Sequence, residues 1–234
     1  GYELRLTAHH EVRVATRIGR DSIEKEWREA QNLKPGDKVV LHNHREAPSW
    51  SGNGDAREGY LAGLFVGDGS VGSHGPVLSV WEDGHAASLQ NRVLECVAPM
   101  DKRSDFSGWH AVKERREHRL RLTAIDQTLE RFRLSDKTIG REVEEASSEF
   151  YCGFLQGFFD ADGSVQGTQE KGVSVRLAQS DLDRLKAVQR MLLRLGIVST
   201  VYQNRRAEGE RELPDGRGGT DLYPTRAQHE LVIS

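Results

Sequence analysis

Two Asp-Gly pairs are the part of this sequence in which residue type and spacing together suggest chemistry. Asp68 and Asp162 each end an apolar segment, and each is followed by Gly-Ser-Val. If these segments are helices, both carboxylates stand at helix C-termini, where the macrodipole disfavours negative charge by about 0.3–1 kcal/mol. Two carboxylates that meet there would repel each other unless a cation lay between them. The pattern therefore predicts a cation site.

The predicted site is one for divalent metal ions. Mg²⁺ prefers carboxylates, backbone carbonyls and water, and a pair of such ions can activate water for phosphodiester hydrolysis. The predicted ligands are Asp68 and Asp162 with the backbones of Gly67 and Ala161, and Ca²⁺ or Mn²⁺ could replace Mg²⁺ for binding. The alternative is a capped helix hairpin without catalysis, which one Asp-Gly pair alone would favour. An EF-hand does not fit, because Lys171 stands where that loop needs a bidentate glutamate.

The elements that must position these aspartates are two helices with small residues on one side. Gly63 and Gly67 are four residues apart, and so are Gly157 and Ala161. Small residues at this spacing let two helix backbones approach closely. We therefore expect helices over residues 59–67 and 149–161 to pack together near a pseudo-twofold axis.

The two helices belong to an internal repeat. Residues 60–71 align with residues 154–165, and the pattern helix-strand-strand-helix-strand-strand follows in each half. The repeat predicts an α+β fold made of two αββαββ halves, the first with an added helix, over residues 58–145 and 146–234. The predicted strands that follow the second helix of each half cover residues 109–113, 118–124, 197–205 and 229–234. The Gly-rich and charged residues 207–221 are predicted to be a mobile loop.

The two apolar segments resemble a family motif. Leu61-Ala-Gly-Leu-Phe-Val-Gly-Asp-Gly69 and Leu155-Gln-Gly-Phe-Phe-Asp-Ala-Asp-Gly163 resemble the nine-residue LAGLIDADG motif of homing endonucleases, and the resemblance covers roughly residues 58–234. It implies a metal-dependent endonuclease that cuts double-stranded DNA at a long recognition site, with Asp68 and Asp162 as catalytic metal ligands. It also implies that Lys137, in a segment ahead of the second motif, orients water or offsets charge.

The resemblance has two departures. Gly140 follows Lys137 where proline is common in the family, and Val66 stands where the motif often has an acidic residue. Without the resemblance, Lys137 would be read as a solvated loop lysine.

Alternating side chains predict where DNA would bind. In residues 118–124, Arg119 and Arg121 alternate with leucines, and Ser174 and Arg176 alternate with apolar residues in the second half. The repeat gives Ser79 the place of Arg176 and Trp81 that of Ala178. Because helices cover one sheet face, the other should form a concave basic surface that fits the major groove. The full predicted DNA-binding set is Ser79, Trp81, Lys113, Arg119, Arg121, Ser174, Arg176, Arg205 and Arg206.

Residues 1–47 lie outside the repeat and are expected to form a small β-rich piece, joined by a linker over residues 48–57. Alternating patches at residues 3–7, 12–16 and 38–41 support this expectation. The segments at residues 4–10 and 27–40 resemble parts of an intein splicing domain, which implies that Thr7 and His10 assist its first acyl shift. Gly1 is not a splicing nucleophile and Ser234 does not complete a His-Asn pair, so the chain is expected to be the interior of an intein.

Composition sets the remaining bounds. The 234 residues carry a net charge of −3, which counts against DNA binding unless the charges are unevenly distributed. No apolar run approaches the roughly 20 residues of a membrane span, so a cytoplasmic monomer is expected. Cys96 and Cys152 are predicted to be small core residues rather than a disulfide. Two other functions stay open: a DNA- or RNA-binding module that has lost cleavage, and a protein-splicing element truncated at both ends.

Overall fold

The computed structural model describes residues 1–41, 49–82, 85–168, 170, 172–214 and 219–234. The chain forms two compact units, Gly1–Ala47 and Pro48–Ser234. No helix in the described part of the chain is long and apolar enough to cross a membrane.

The first unit is a three-stranded antiparallel sheet. Its strands are β1 (Glu11–Ile18), β2 (Ile23–Glu29) and β3 (Lys38–Val39), in the order β2-β1-β3. The central strand buries Val12 and Val14, whereas residues 3–7, predicted as a strand, form none. Alternation alone is insufficient, because a strand needs a neighbour for its backbone hydrogen bonds.

Thr7 and His10 lie at the two ends of the turn that precedes β1. The His10 amide donates to the Thr7 carbonyl at 3.1 Å, and both residues are exposed. The turn therefore leaves both side chains open to solvent.

The second unit contains six helices and ten strands among its described residues. They are α1 (Ala56–Asp68), β4 (Ser70–Gly72), β5 (Gly75–Trp81), α2 (Ala86–Val97), β6 (His110–Ala111), β7 (Glu117–Leu120), α3 (Thr123–Arg131), α4 (Arg141–Glu144), α5 (Ser148–Asp162), β8 (Gly163–Thr168), β9 (Gly172–Gln179), α6 (Leu182–Arg194), β10 (Thr200–Arg206), β11 (Gly209–Pro214), β12 (Thr220–Thr225) and β13 (Gln228–Ile233).

The two main sheets have the same topology. Their strand orders are β4-β5-β7-β6 and β8-β9-β13-β10. The hairpin β11-β12 lies between β10 and β13 in the sequence and forms a separate two-stranded sheet. Every pairing within them is antiparallel. The predicted α+β fold with a duplicated αββαββ pattern is therefore confirmed.

Several local predictions are wrong. The strand predicted over residues 118–124 ends at Leu120, because α3 begins at Thr123, so Arg121 follows the strand instead of lying within it. Residues 207–221 are predicted as a mobile loop, and of these, residues 215–218 lie outside the described part of the chain. The described remainder contains β11 and the start of β12, which pair in register from Gly209 with Thr225 to Pro214 with Thr220. Their charged, Gly-rich composition hid this pairing. Cys96 is buried as predicted, but Cys152 is exposed.

Part of the predicted linker is structured. The Ser147 amide at the start of α5 donates to the Asn53 carbonyl at 3.0 Å, and the Trp50 indole donates to the Ala146 carbonyl at 2.8 Å. Asp55 caps α1 in a capping box with Glu58. Residues 50–55 thus fix the start of both motif helices.

Strand pairing also corrects the alignment of the two halves. Ser70 faces Val77 in the first sheet, and the equivalent Ser164 faces Arg176 in the second. Arg176 therefore has the place of Val77 and not that of Ser79, because the β8-β9 hairpin is longer than the sequence alignment allowed. A shift of two residues keeps every side chain on its predicted face.

The backbones of α1 and α5 are in close contact. A Cβ atom added to Gly63 would lie 2.0 Å from the Phe154 carbonyl oxygen, and one on Gly157 would lie 2.1 Å from that of Tyr60. One on Gly67 would lie 2.3 Å from the Ala161 Cβ. The predicted contact face is confirmed.

Two more glycines extend this contact face. Added Cβ atoms on Gly59 and Gly153 would lie 2.2 Å and 2.0 Å from the carbonyl oxygens of Phe150 and Ala56. We call the six positions 59, 63, 67, 153, 157 and 161 the small-residue stripe. Around it, fully buried aromatic side chains form the core, among them Tyr60, Phe65, Phe150, Phe154 and Phe158.

The substitution Gly63→Ala is expected to lower the free energy of unfolding by about 1–3 kcal/mol, because overpacking outweighs the gain in helix propensity. Urea unfolding measures the change. Gly209→Ala is the control, since an added Cβ there meets nothing within 4 Å. A Gly63→Ala protein as stable as wild type would contradict the close contact.

Candidate metal centre and nucleic-acid interface

The two motif aspartates lie at adjoining helix ends. Asp68 and Asp162 are the last residues of α1 and α5, and both are half-buried. An added Cβ on Gly67 would lie 3.3 Å from the Asp162 Oδ2, so this carboxylate lies against the last turn of α1. The small-residue stripe therefore brings acidic side chains of both halves to one end of the helix pair.

Lys137 reaches the same place from the loop between α3 and α4. Its ammonium donates a hydrogen bond to the Gly67 carbonyl at 2.9 Å. Burial, followed by the charge of Arg184, lowers the pKa of Lys137, while the negative charges of Asp162 and Asp68 act in the opposite direction. The lysine thus lies in the field of both aspartates.

The backbone of Lys137 is strained. Its φ angle of 63° lies in the left-handed region, which costs a residue other than glycine about 1–3 kcal/mol. The Lys137 amide donates to the Leu134 carbonyl at 2.8 Å, and the Arg184 Nε donates to the Lys137 carbonyl at 3.2 Å. These contacts hold the strained loop so that the side chain enters the site.

Gln179 and Arg184 belong to the site, although no motif in the sequence indicates them. The Gln179 Nε2 donates to the Asp162 Oδ2 at 2.7 Å, and the Arg184 Nη1 donates to the Gln179 Oε1 at 3.1 Å. A signal was present: β9 runs antiparallel to β8, and β8 starts directly after Asp162. The end of β9 must therefore return to Asp162.

The environment of Asp162 favours its protonated form. Burial raises the pKa of this carboxyl above its ordinary value, although the hydrogen bond from Gln179 and the charges of Lys137 and Arg184 oppose the shift. A bound cation would favour the ionised form instead.

The donor set fits a hard divalent ion that keeps much of its water. Within the described residues, no group of three or more His, Cys, Asp or Glu side chains is arranged to hold a metal. Asp68 and Asp162 with backbone oxygen atoms and water are the ligands that Mg²⁺ accepts. The Gly67 carbonyl already accepts a hydrogen bond from the Lys137 ammonium, so only its second lone pair is available to a metal ion. Ala161, the other predicted backbone ligand, is half-buried.

Asp68 also lines a cavity beside the first sheet. It lines a cavity of about 570 Å³ together with Trp81, His85 and Arg92. Trp81 is about half exposed and was predicted to bind DNA. The cavity therefore connects the metal candidate to the predicted DNA surface.

The open face of the first sheet, opposite the face packed on Leu78 and Leu120, has one predicted residue that is unavailable to DNA. Ser79 is only 6% exposed, and its hydroxyl donates to the Glu117 Oε1 at 2.9 Å. Arg119 lies beside Ser79 in the strand register and also binds Glu117. The prediction for Ser79 is wrong, because strand pairing brings Glu117 beside it and its hydroxyl donates to that carboxylate.

In the second sheet, Ser174 similarly supports an arginine. The Arg176 Nε donates to the Ser174 hydroxyl at 3.0 Å, and the Arg176 Nη1 lies 3.5 Å from the Glu230 Oε1. Arg205 approaches the other Glu230 oxygen at 3.4 Å. Both sheets therefore carry a glutamate with arginine partners on the predicted DNA face.

The other predicted DNA-binding residues are exposed at the rims of the sheets. Arg121 follows β7, Lys113 lies 3.7 Å from Glu114 in the turn after β6, and Arg206 ends β10 opposite Gln228. Their side chains are accessible to a large partner.

Part of the second unit is similar to a known family, the LAGLIDADG-like domain. Residues 149–234 match that family, and with the duplicated topology this confirms the predicted fold class. The chain is 25% identical over 256 residues to the NrdEB alpha chain of the ribonucleoside-diphosphate reductase of Bacillus subtilis (strain 168). It is 25% identical over 251 residues to a DNA gyrase protein of Mycolicibacterium flavescens. All of this chain aligns in both cases, but it spans only 22% and 41% of those proteins.

Solved structures with a similar fold include two kinds of protein. The homing endonuclease I-DmoI in complex with DNA and Mn is 17% identical with a TM-score of 0.45, covering 76% of this chain and 89% of that one. The N-terminal LAGLIDADG domain of DUF199/WhiA is 15% identical with a TM-score of 0.43, covering 82% and 81%.

Asp162→Asn is expected to stabilise the metal-free protein at neutral pH. With its pKa raised on folding, the Asp162 carboxyl favours the folded state below its ordinary pKa of about 3.9, and this contribution is lost as pH rises through the folded value. Asparagine imitates the neutral form at every pH.

Urea unfolding with a chelator should therefore show that the advantage of the variant disappears below about pH 4. A variant less stable than wild type at neutral pH would contradict the burial argument.

Proposed function

We propose that this chain is a metal-dependent, site-specific endonuclease for double-stranded DNA. The observation that supports this most strongly is the meeting of Asp68, Asp162 and Lys137 at one end of the α1-α5 pair. Two acidic groups that are partly desolvated and share one cationic neighbour suit catalysis better than structural support. The match of residues 149–234 to a LAGLIDADG-like domain is consistent with the proposal.

Each residue has a role in this proposal. Asp68 and Asp162 hold divalent ions, and bound Mg²⁺ would supply a Lewis acid and a more acidic water. The Lys137 ammonium offsets the negative charge that develops on the phosphate during hydrolysis. Gln179 keeps the Asp162 carboxylate in one orientation, and Arg184 holds Gln179.

The open faces of the two sheets are proposed to bind the duplex. A two-stranded ribbon fits the major groove, and arginine pairs bidentately with guanine. Arg119 and Arg176 lie on the sheets, while Arg121, Arg205 and Arg206 lie at strand ends where phosphates would pass. Trp81 reaches the cavity of Asp68, so DNA held on this face would bring a phosphate toward the metal candidate.

We further propose that the chain derives from an intein, with Gly1–Ala47 contributed by the splicing domain and Thr7 and His10 placed as in that domain. The curated relatives belong to a reductase and to a gyrase, and all of this chain aligns to a fraction of each. A segment shared by such different enzymes is what an inserted element would produce. Monomeric action in the cytoplasm belongs to the same proposal.

Asp68→Asn and Asp162→Asn are each expected to lower the cleavage rate by about 100-fold or more while leaving DNA affinity nearly unchanged. The carboxylates stabilise charge in the transition state but repel phosphate in the ground state. The assay incubates a supercoiled plasmid library of random inserts with Mg²⁺ and sequences the cut ends.

Asp105→Asn is the control, because Asp105 is exposed and paired with Arg103. If wild type binds DNA but cuts none, the chain is a cleavage-inactive binding module. Near-normal cutting by either motif variant would disprove the site assignment.

A further inference from the structure

Glu117 is a buried carboxylate on a sheet face that the proposed function needs to be accessible. It lies on β7 on the same side as Arg119, yet only 2% of it is exposed. Its cross-strand neighbour is Trp81, and Ser79 and Arg119 pair beside it. On this face the carboxylate is bound by Ser79 and Arg119.

Arg119 binds Glu117 through one defined edge of its guanidinium. The Nε donates to the Glu117 Oε1 at 2.6 Å, and the Nη2 donates to the Oε2 at 3.2 Å. This is the bidentate arrangement in which a planar guanidinium has little freedom to rotate. The side chain of Arg119 is still 39% exposed, so the rest of the group faces outward.

The Nη1-Nη2 edge of the Arg119 guanidinium remains available to bind a ligand. Guanidinium has five N–H groups, and Glu117 takes one on Nε and one on Nη2. Among the residues that the structure describes, Arg119 has no other hydrogen-bonding partner. Its Nη1-Nη2 edge therefore offers two parallel donors to solvent.

The carboxylate stays charged while it holds the arginine. Burial alone would raise the pKa of Glu117, but hydrogen bonds from Arg119 and Ser79, with the charges of Arg119 and Arg115, hold it below its ordinary value. Arg115 lies 3.8 Å away and Ser79 binds the same oxygen as the Arg119 Nε. The bidentate contact between Glu117 and Arg119 is thus fully formed at neutral pH.

We propose that Glu117 is a specificity-determining positioning residue, which fixes Arg119 so that its Nη1-Nη2 edge reads a guanine in the major groove. Guanine presents two acceptors, O6 and N7, to two parallel donors, whereas adenine places an N6 donor against one of them. The inference rests on the proposed function, because it needs a duplex on this face.

The second sheet provides a contrast. Arg176 donates its Nε to a serine and approaches Glu230 only at 3.5 Å, so its guanidinium is not held by a carboxylate fork. Glu230 is also less buried, with 14% of its side chain exposed. Of these two arginines, Arg119 is the one that is oriented by a bidentate carboxylate contact.

The experiment first selects bound sequences from a random duplex pool with the wild-type protein in Ca²⁺. The consensus is then synthesised with every single base-pair change, and affinities are measured for wild type, Glu117→Gln, Arg119→Ala and the double variant. Glu114→Gln is the matched control, because it removes one negative charge from the β6-β7 turn, where Glu114 is exposed beside Lys113.

At one G·C pair, Glu117→Gln is expected to lose about ten-fold in discrimination, as Arg119→Ala does, and the double variant no more than either. Glu114→Gln should keep the wild-type discrimination there. Glu117→Asp retains the charge but shortens the fork, so it should lose discrimination at the same pair even if Glu117→Gln does not fold.

Three results would overturn the inference: Glu117→Gln or Glu117→Asp keeping full discrimination, affinity falling equally for every duplex, or an effect of Glu117→Gln that persists without Arg119. A wild-type protein that enriches no sequence would instead refute the proposed function, and the inference with it. The wild-type selection therefore separates the two kinds of failure.

Discussion

The backbone contact between α1 and α5 is the constraint on which the rest of the second unit depends. At four glycines of the small-residue stripe, an added Cβ atom would fall about 2 Å from a carbonyl oxygen of the other helix, so any side chain at these four positions would force the helices apart. The close approach sets the distance between the two halves and places the C-termini of α1 and α5 side by side. It thereby decides that Asp68 and Asp162 adjoin, and that the Gly67 carbonyl lies within reach of Lys137.

Bringing acidic groups together in a half-buried place has a cost for the folded protein. The raised pKa of Asp162 shows that burial outweighs its three favourable partners. Lys137 adds a strained backbone and a desolvated ammonium to the same place. Such costs are typical of sites kept for chemistry, because hydrophobic residues there would give a more stable helix pair.

The sequence predicts most of the helix pair but little of the sheets. Gly63, Gly67, Gly157 and Ala161 were found from their spacing alone, because helical periodicity is local. Strand neighbours are set by pairing between distant segments, which spacing does not specify. Spacing alone therefore predicts Ser79 as a DNA ligand, although its hydroxyl binds Glu117 on another strand.

The same limit hid the polar residues around Asp162. Gln179 and Arg184 come near the aspartate only because β9 returns along β8 before α6 begins. The hairpin of β11 and β12 was missed because its composition is that of a loop and only its pairing reveals it. The metal candidate could thus be located from sequence, but its polar surroundings could not.

Part of the negative charge behind the net charge of −3 lies away from the face that is proposed to bind DNA. Around α4, Glu142, Glu144 and Glu145 each pair with an arginine, and none of these residues belongs to the open faces of the sheets. Glu117 and Glu230 do lie on the open faces, but Glu117 is buried and held by Arg119, and Glu230 lies beside Arg176 and Arg205. An approaching phosphate or base therefore meets the outer edge of the guanidinium first.

An arginine already held by a carboxylate loses less rotamer entropy when it binds a base, and its net attraction for phosphates is weaker than that of a solitary arginine. Both effects favour selection of sequence over general affinity for the backbone. Specificity is the ratio between those two affinities. A nearly neutral protein with a few oriented arginines can therefore discriminate sequences well without being basic overall.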